Sequence, residues 1–131
     1  MAFRDLAAVA AALRAFAAER DWDRFHTPRN LATALSVEAS EALEHFQWLT
    51  DEEGRNLGAE KKQAVALELA DVFLYLVRLS DRLGVDLLEA AERKMAINAE
   101  NYPADYTRGA IRKKGSGPFF PESSASTKKG S

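Results

Sequence analysis

Between Leu31 and Leu79 the apolar residues recur at helical spacing, and two acidic pairs, Glu38-x-x-Glu41 and Glu68-x-x-Asp71, interrupt them. Residues i and i+3 share one helix face, a turn apart. Two such pairs on neighbouring helices would aim four carboxylates at one point, which restricts how the helices can pack. Carboxylates are rarely withdrawn from water unless they are paired or bound to a metal. The pattern therefore points to a hard divalent cation, and after it to a phosphate-bearing ligand.

The rest of the chain fits a helical domain around that stretch. Alanine and leucine are abundant, and glycine and proline are scarce between about residues 3 and 102, a composition that favours an all-α fold. A first helix is expected over about residues 4–20, where Phe3, Leu6, Val9, Ala10, Leu13, Phe16 and Ala17 form one apolar stripe. Pro28 breaks the pattern, and Thr27 or Asn30 can cap a second helix over about residues 28–48, with Leu31, Ala34, Leu35, Ala42, Leu43 and Phe46 on its apolar face. Residues 50–60, with two glycines and three consecutive acids, read as a solvated surface loop. A third helix over about residues 59–83 is apolar over so wide a surface (Val65, Leu69, Val72, Phe73, Leu76, Leu79) that it is expected to be central or at a subunit interface, where such helices usually lie. Gly84 stops it, and Asp86-Leu-Leu-Glu89 opens a fourth that ends before Pro103. The expected architecture is an all-α four-helix bundle over residues 1–107, followed by a basic, disordered tail over residues 108–131.

Charge is uneven. From Glu38 to Asp71 there are nine acidic residues against three basic ones, which argues against a nucleic-acid-binding core. From Arg108 onward six basic residues face one acid, as in a solvated tail. There is no cysteine, so disulfides and thiolate metal sites are excluded, and no apolar run approaches the ~20 residues of a membrane span. A soluble, cytoplasmic protein is the expectation.

Four carboxylates held together without a counter-charge raise one another's pKa values. Mg²⁺, with Mn²⁺ as a substitute, suits oxygen ligands and retains waters for substrate phosphates. Zn²⁺ would have only His26 and His45 to call on. A di-iron bundle would use Glu-x-x-His on two helices, and His45 stands four after Glu41 instead. The loop between the first two helices is rich in side chains that do chemistry: Trp22, Phe25 and His26 can stack, while Arg24, Arg29 and Asn30 donate hydrogen bonds. The same aromatics would serve to plug the end of the bundle, and the segment alone leaves both readings open. Lys94 and Asn98 share a face of the fourth helix, with Tyr102 ending the row. A metal beside a lysine and stackable aromatics (Trp22, Phe25, Trp48 or Tyr75) suggests metal-dependent phosphate chemistry on a nucleotide.

The span from about Phe3 to Lys114 resembles the all-α nucleoside triphosphate pyrophosphohydrolases, the MazG-like group. Its signature is Glu-x-x-Glu, a variable gap, then Glu-x-x-Asp; here Glu41 and Glu68 are separated by 26 residues. The strings FAAERDWDRFHTPRNL, EHFQWLTD, ELADVFLYLVRL and KMAINAENYP occur in the order found in the branch of that group that hydrolyses dCTP. The resemblance implies that Glu38, Glu41, Glu68 and Asp71 are metal ligands. It implies that Trp22, Asp23, Arg24, Phe25 and His26 line a base and sugar pocket, that Trp48 and Tyr75 contact substrate, and that Lys94, Asn98 and Tyr102 serve phosphate and sugar. Leu13 stands where that branch has a substrate-contacting histidine, a difference that bears on the base and not on the reaction class. The resemblance further implies dimers that pair into tetramers, with pockets shared between subunits.

The expected activity is Mg²⁺-dependent hydrolysis of a (d)NTP, dCTP or a modified dCTP first, to monophosphate and pyrophosphate in nucleotide-pool clean-up. Glu41 and Glu38 would act with Lys94 in catalysis, Glu41 as general base. The rivals are the same chemistry on dUTP, a purine or an oxidised nucleotide, and a non-catalytic helical scaffold whose acids are structural.

Overall fold

The computed structural model describes residues 1–109, which contain six helices and no strand. Helix α1, Leu6–Glu19, starts where the Asp5 carboxylate accepts the Ala8 N–H at 2.8 Å. Helix α2, Pro28–Glu44, has Thr27 as its N-cap, accepting from Asn30, and Pro28 in the first turn, where its missing N–H costs nothing. The chain expected to stay helical to Trp48 leaves the α-helix at Glu44. Shorter-range bonds, His45 N–H to Ala42 O and Phe46 N–H to Leu43 O, tighten the last turn.

Residues 50–60, expected as a loop, contain a further one-turn helix, α3, Asp51–Arg55. Thr50 and Glu53 close a capping box: the Thr50 N–H donates to Glu53 Oε1 at 3.0 Å and the Glu53 N–H to Thr50 Oγ at 3.2 Å. Those bonds hold the Glu53 carboxyl below the usual range, so this acid is part of the cap and not only solvated charge. Helix α4, Ala59–Leu83, ends at Gly84 in the left-handed region (φ +67°), and α5, Leu87–Asn101, begins directly after Asp86. A short α6, Ala104–Thr107, follows Pro103.

Contacts divide the chain into two compact units after Leu87. In the first, α4 packs along α2 and, less extensively, α1. Val9 and Ala10 of α1 meet Val77 of α4, with Leu6, Leu13 and Leu74 packed around them. Leu31 and Val65 are buried, but much of the apolar surface of the two long helices is not: Val37, Leu43, Leu67, Leu69 and Phe73 are exposed. In the second unit, the described residues 88–109 hold most of α5 and all of α6, and the Tyr102 N–H donates to Asn98 O at 2.7 Å. The tail expected from residue 108 lies, beyond Gly109, outside the described residues. No helix among the described residues is long and apolar enough to cross a membrane.

Two backbone positions have opposite expectations. Gly84 sits at positive φ with open space where a Cβ would go, so the cost of Gly84→Ala is conformational, about 1 kcal/mol. Asp21 also holds positive φ (54°) with a side chain, so Asp21→Gly removes strain there. In urea melts, the alanine variant should unfold at lower denaturant and the glycine variant at equal or higher denaturant than the parent chain.

Candidate active site

The α2–α4 seam brings the acidic motifs together. Carboxylate oxygens of Glu38, Glu41 and Glu68 all lie within 4.8 Å of one another. One oxygen each of Glu38 and Glu68 is buried without a hydrogen-bond partner among the described residues. Such an orphaned acceptor is costly unless something positively charged meets it. A side-chain hydrogen bond with Glu41, burial, and the charges of Glu41, Asp71 and Glu68 push the Glu38 carboxyl up to about 7. Burial and the Glu41 charge also raise Glu68, only partly offset by His45, whose Nε2 stands 3.9 Å from Glu68 Oε1. An all-oxygen donor set with unsatisfied buried atoms fits a metal ion. Asp71, the fourth expected ligand, lies outside the 4.8 Å group, although its charge raises both Glu38 and Glu68.

Asp71 also lines a cavity of about 410 Å³. Its walls come from α1 (Ala12, Leu13, Phe16), from the loop after it (Trp22, His26) and from α4 (Leu74, Tyr75, Arg78), with Met1 and Phe3 at one side. Phe16 and Trp22 meet edge to face, ring centroids 5.7 Å apart, and Trp22 lies 6.0 Å from the His26 ring. The lining is almost wholly apolar and aromatic, and its polar groups sit on the side of His26, Asp71, Tyr75 and Arg78. Such a cavity accepts a flat ring and reads it by a few polar atoms.

The structure therefore gathers Glu38, Glu41 and Glu68, and places Trp22, His26, Asp71 and Tyr75 around one cavity. Asp23, Arg24 and Phe25 are not among its lining residues. Asp23 accepts from Arg78, and the Arg24 guanidinium lies 4.7 Å over the Phe25 ring. Trp48 is 87% exposed. Lys94, Asn98 and Tyr102 belong to the second unit, Lys94 exposed and the other two half-buried.

The loop that carries Trp22 and His26 is fixed by arginines whose site role the sequence pattern did not disclose. Arg78, only 4% exposed, donates from Nε to His26 Nδ1 at 3.1 Å and from Nη2 to Asp23 Oδ1 at 2.8 Å. One turn on, Arg82 Nε donates to the His26 carbonyl at 3.1 Å. Asp81 accepts both Nε and Nη2 of Arg14, which holds its carboxyl below the usual range. The available signal was spacing: Glu68, Asp71, Tyr75, Arg78 and Arg82 follow at intervals of three and four, one face of α4.

The MazG-like family profile matches residues 33–115. The chain is 50% identical to dCTP pyrophosphatase 1 of Homo sapiens and 47% identical to that of Rattus norvegicus, in each case over 100 residues, 75% of this chain and 59% of the relative. It thus spans somewhat over half the length of these relatives. The crystal structure of a pyrophosphatase from Archaeoglobus fulgidus DSM 4304 superposes with a TM-score of 0.72 at 36% identity, covering 79% of this chain and 96% of that one.

The raised carboxyls carry a stability signature. A carboxyl with folded pKa above its unfolded value makes the native state hold the extra proton, so stability is lost as pH rises from the ordinary carboxylate range through about 7. Without divalent metal, this group should lower the melting temperature at pH 8 relative to pH 5.5. Mg²⁺ should raise it more at pH 8 than at pH 5.5, and a metal-induced shift equal at both would count against the cluster as the binding site.

Proposed function

This chain belongs to the MazG-like family, and from that premise we propose that it is a Mg²⁺-dependent nucleoside triphosphate pyrophosphohydrolase, with dCTP or a modified dCTP as its first substrate. The observation that carries the reading is the position of Asp71: it lines a ring-sized aromatic cavity, and its charge acts on Glu38 and Glu68 of a carboxylate cluster with orphaned buried oxygens. A nucleotide has both halves, a flat base and an anionic phosphate chain that needs a cation. The relatives named dCTP pyrophosphatase 1 support cytosine as the base.

Glu38, Glu41, Glu68 and Asp71 would hold the metal, which when bound polarises phosphoryl oxygens and offsets their charge. Trp22 and Phe16 offer faces for the base, while His26 and Tyr75 offer polar contacts to it. In the reaction, a water oxygen bonds to the α-phosphorus and the bond from that phosphorus to the bridging oxygen breaks, so that pyrophosphate leaves and the monophosphate stays. Glu41, the middle carboxylate of the cluster, takes the water's proton as general base. The family resemblance assigns phosphate and sugar contacts to Lys94, Asn98 and Tyr102.

The exposed apolar surface of α2 and α4, together with Trp48, supports assembly into a homo-oligomer, a dimer or a dimer of dimers, in which Trp48 reaches substrate. The absence of a membrane-crossing helix among the described residues and the acidic middle of the chain support a cytoplasmic protein that binds neither membrane nor nucleic acid.

The decisive assay measures pyrophosphate release from a panel of triphosphates with and without Mg²⁺. Cytosine nucleotides should lead, and Glu41→Gln or Asp71→Asn should lower release at least about a hundredfold with the helical circular dichroism unchanged. Full activity in both variants would remove the cluster from catalysis. Trp48→Ala should raise KM for dCTP by about tenfold with little change in kcat, and sedimentation should find no monomer at assay concentration.

A further inference from the structure

Arg78 is buried, yet it touches neither the carboxylate cluster nor the exposed surface. Its Nε–H is directed at the Nδ1 atom of His26 at 3.1 Å, and its Nη2 at Asp23 at 2.8 Å. A guanidinium can only donate and does not lose its proton. The Nδ1 atom that receives it must therefore offer a lone pair, so the single proton of the ring sits on Nε2. An imidazolium has no lone pair at Nδ1 and would bring two donors face to face. Burial and the nearby charge of Arg78 depress His26 below the usual histidine range, in agreement with that geometry; the Asp23 charge opposes this shift and Arg82 adds to it.

The backbone is held as firmly as the ring. Arg82 binds the carbonyl oxygen of His26, the Asn30 side chain donates to the carbonyl of Phe25 at 2.9 Å, and the His26 N–H donates to Trp22 O at 3.1 Å. His26 nevertheless lines the cavity, and with Nδ1 held by Arg78 its Nε2 is the ring nitrogen left to meet a ligand there. Asp71 lines the same cavity.

We infer that Arg78 is a specificity-setting positioning residue: by occupying His26 Nδ1 it fixes the Nε2–H tautomer, so that the cavity presents an uncharged hydrogen-bond donor to an acceptor atom of the nucleobase, such as O2 or N3 of cytosine. This rests on the cavity being the base pocket of the activity proposed above. Arg78 itself also lines the cavity, with its Nε and Nη2 donors taken up by His26 and Asp23. Its effect passes through His26, and it falls on recognition of the base and not on the chemical step.

The test has two arms on the full chain. In long-range ¹H–¹⁵N spectra of the ligand-free protein at neutral pH, with His45→Gln to assign the two histidines, His26 should show the Nε2–H tautomer alone. A proton on Nδ1, or exchange between tautomers, overturns the proposal whatever the activity. In kinetics with dCTP and Mg²⁺, Arg78→Met should raise KM about tenfold while kcat changes less than about threefold, and Arg78→Lys, which keeps a donor, should recover much of the loss. Unchanged KM in a folded Arg78→Met overturns the proposal. Should that variant not fold, His26→Gln, which keeps an N–H near the former Nε2, should bind dCTP more tightly than His26→Leu; equal KM values overturn it. Absence of pyrophosphate release from every triphosphate would instead overturn the activity on which the proposal rests.

Discussion

Like-charge crowding at the α2–α4 seam is the constraint around which the first unit is arranged. Three glutamates converge within 4.8 Å, two of their oxygens are buried without partners among the described residues, and Glu38 is pushed up to about 7. Packing α4 along α2 is favourable for the apolar residues that flank these acids but unfavourable for the acids themselves. A fold optimised for stability alone would separate them or pair each with a lysine. Instead, among the described residues, His45 Nε2 stands 3.9 Å from one oxygen of Glu68. The seam thus stores an unfavourable interaction that a cation reverses, which is the arrangement expected of a binding site and not of a structural core.

The C-terminal end of α4 is built on the reverse principle. Arg14, Asp81, Arg78, Asp23 and Arg82 alternate in sign and satisfy one another, or the backbone of the adjoining loop, at hydrogen-bond distance. A buried guanidinium is tolerated only when its donors are met, and here Nε and Nη2 of Arg78 both are. Those bonds fix the position of His26, whose N–H donates in turn to Trp22 O at 3.1 Å. The arginine-fixed end of α4 and the acidic seam are joined by one helix face carrying Glu68, Asp71, Tyr75, Arg78 and Arg82 in order, so the rise of α4 sets the spacing between the carboxylates and the aromatic cavity.

Much of this was legible before any coordinates. Helical periodicity and the placement of Pro28 and Gly84 put the long helices within a few residues of where they lie, because those signals are local. The paired acids also announced their convergence, since i, i+3 spacing on adjacent antiparallel helices leaves few alternatives. The early end of α2 at Glu44 and the capped turn at Thr50–Glu53 were missed for different reasons. The first depends on how the chain tightens after Leu43, which periodicity does not register, whereas the second had a Thr-x-x-Glu signal obscured by three consecutive acids that resemble a solvated loop. Arg78 was missed because a lone arginine on an amphipathic helix is ordinarily solvated. Its burial is created by a loop more than fifty residues away in sequence, and nothing within α4 itself encodes that partner.

The exposed side chains extend the argument from the chain to its surroundings. Leu43, Leu67, Leu69 and Phe73 sit on the helices that form the seam, while the buried core of the first unit is modest. Leaving so much apolar area in water is unfavourable, and covering it would also lower the dielectric around the carboxylates, strengthening both their mutual repulsion and their attraction for a cation. Trp48, at 87% exposure, sits just past the end of α2, the helix that carries Glu38 and Glu41. Within the first unit, the ring cavity has aromatic and polar walls on the α1 and α4 sides, and Trp48 is not among its lining residues. If a second copy covers the apolar faces, the same contact that removes that surface from water can bring an indole to a pocket that one chain leaves open. Burial of the faces, tuning of the cluster and completion of the pocket would then be consequences of one association.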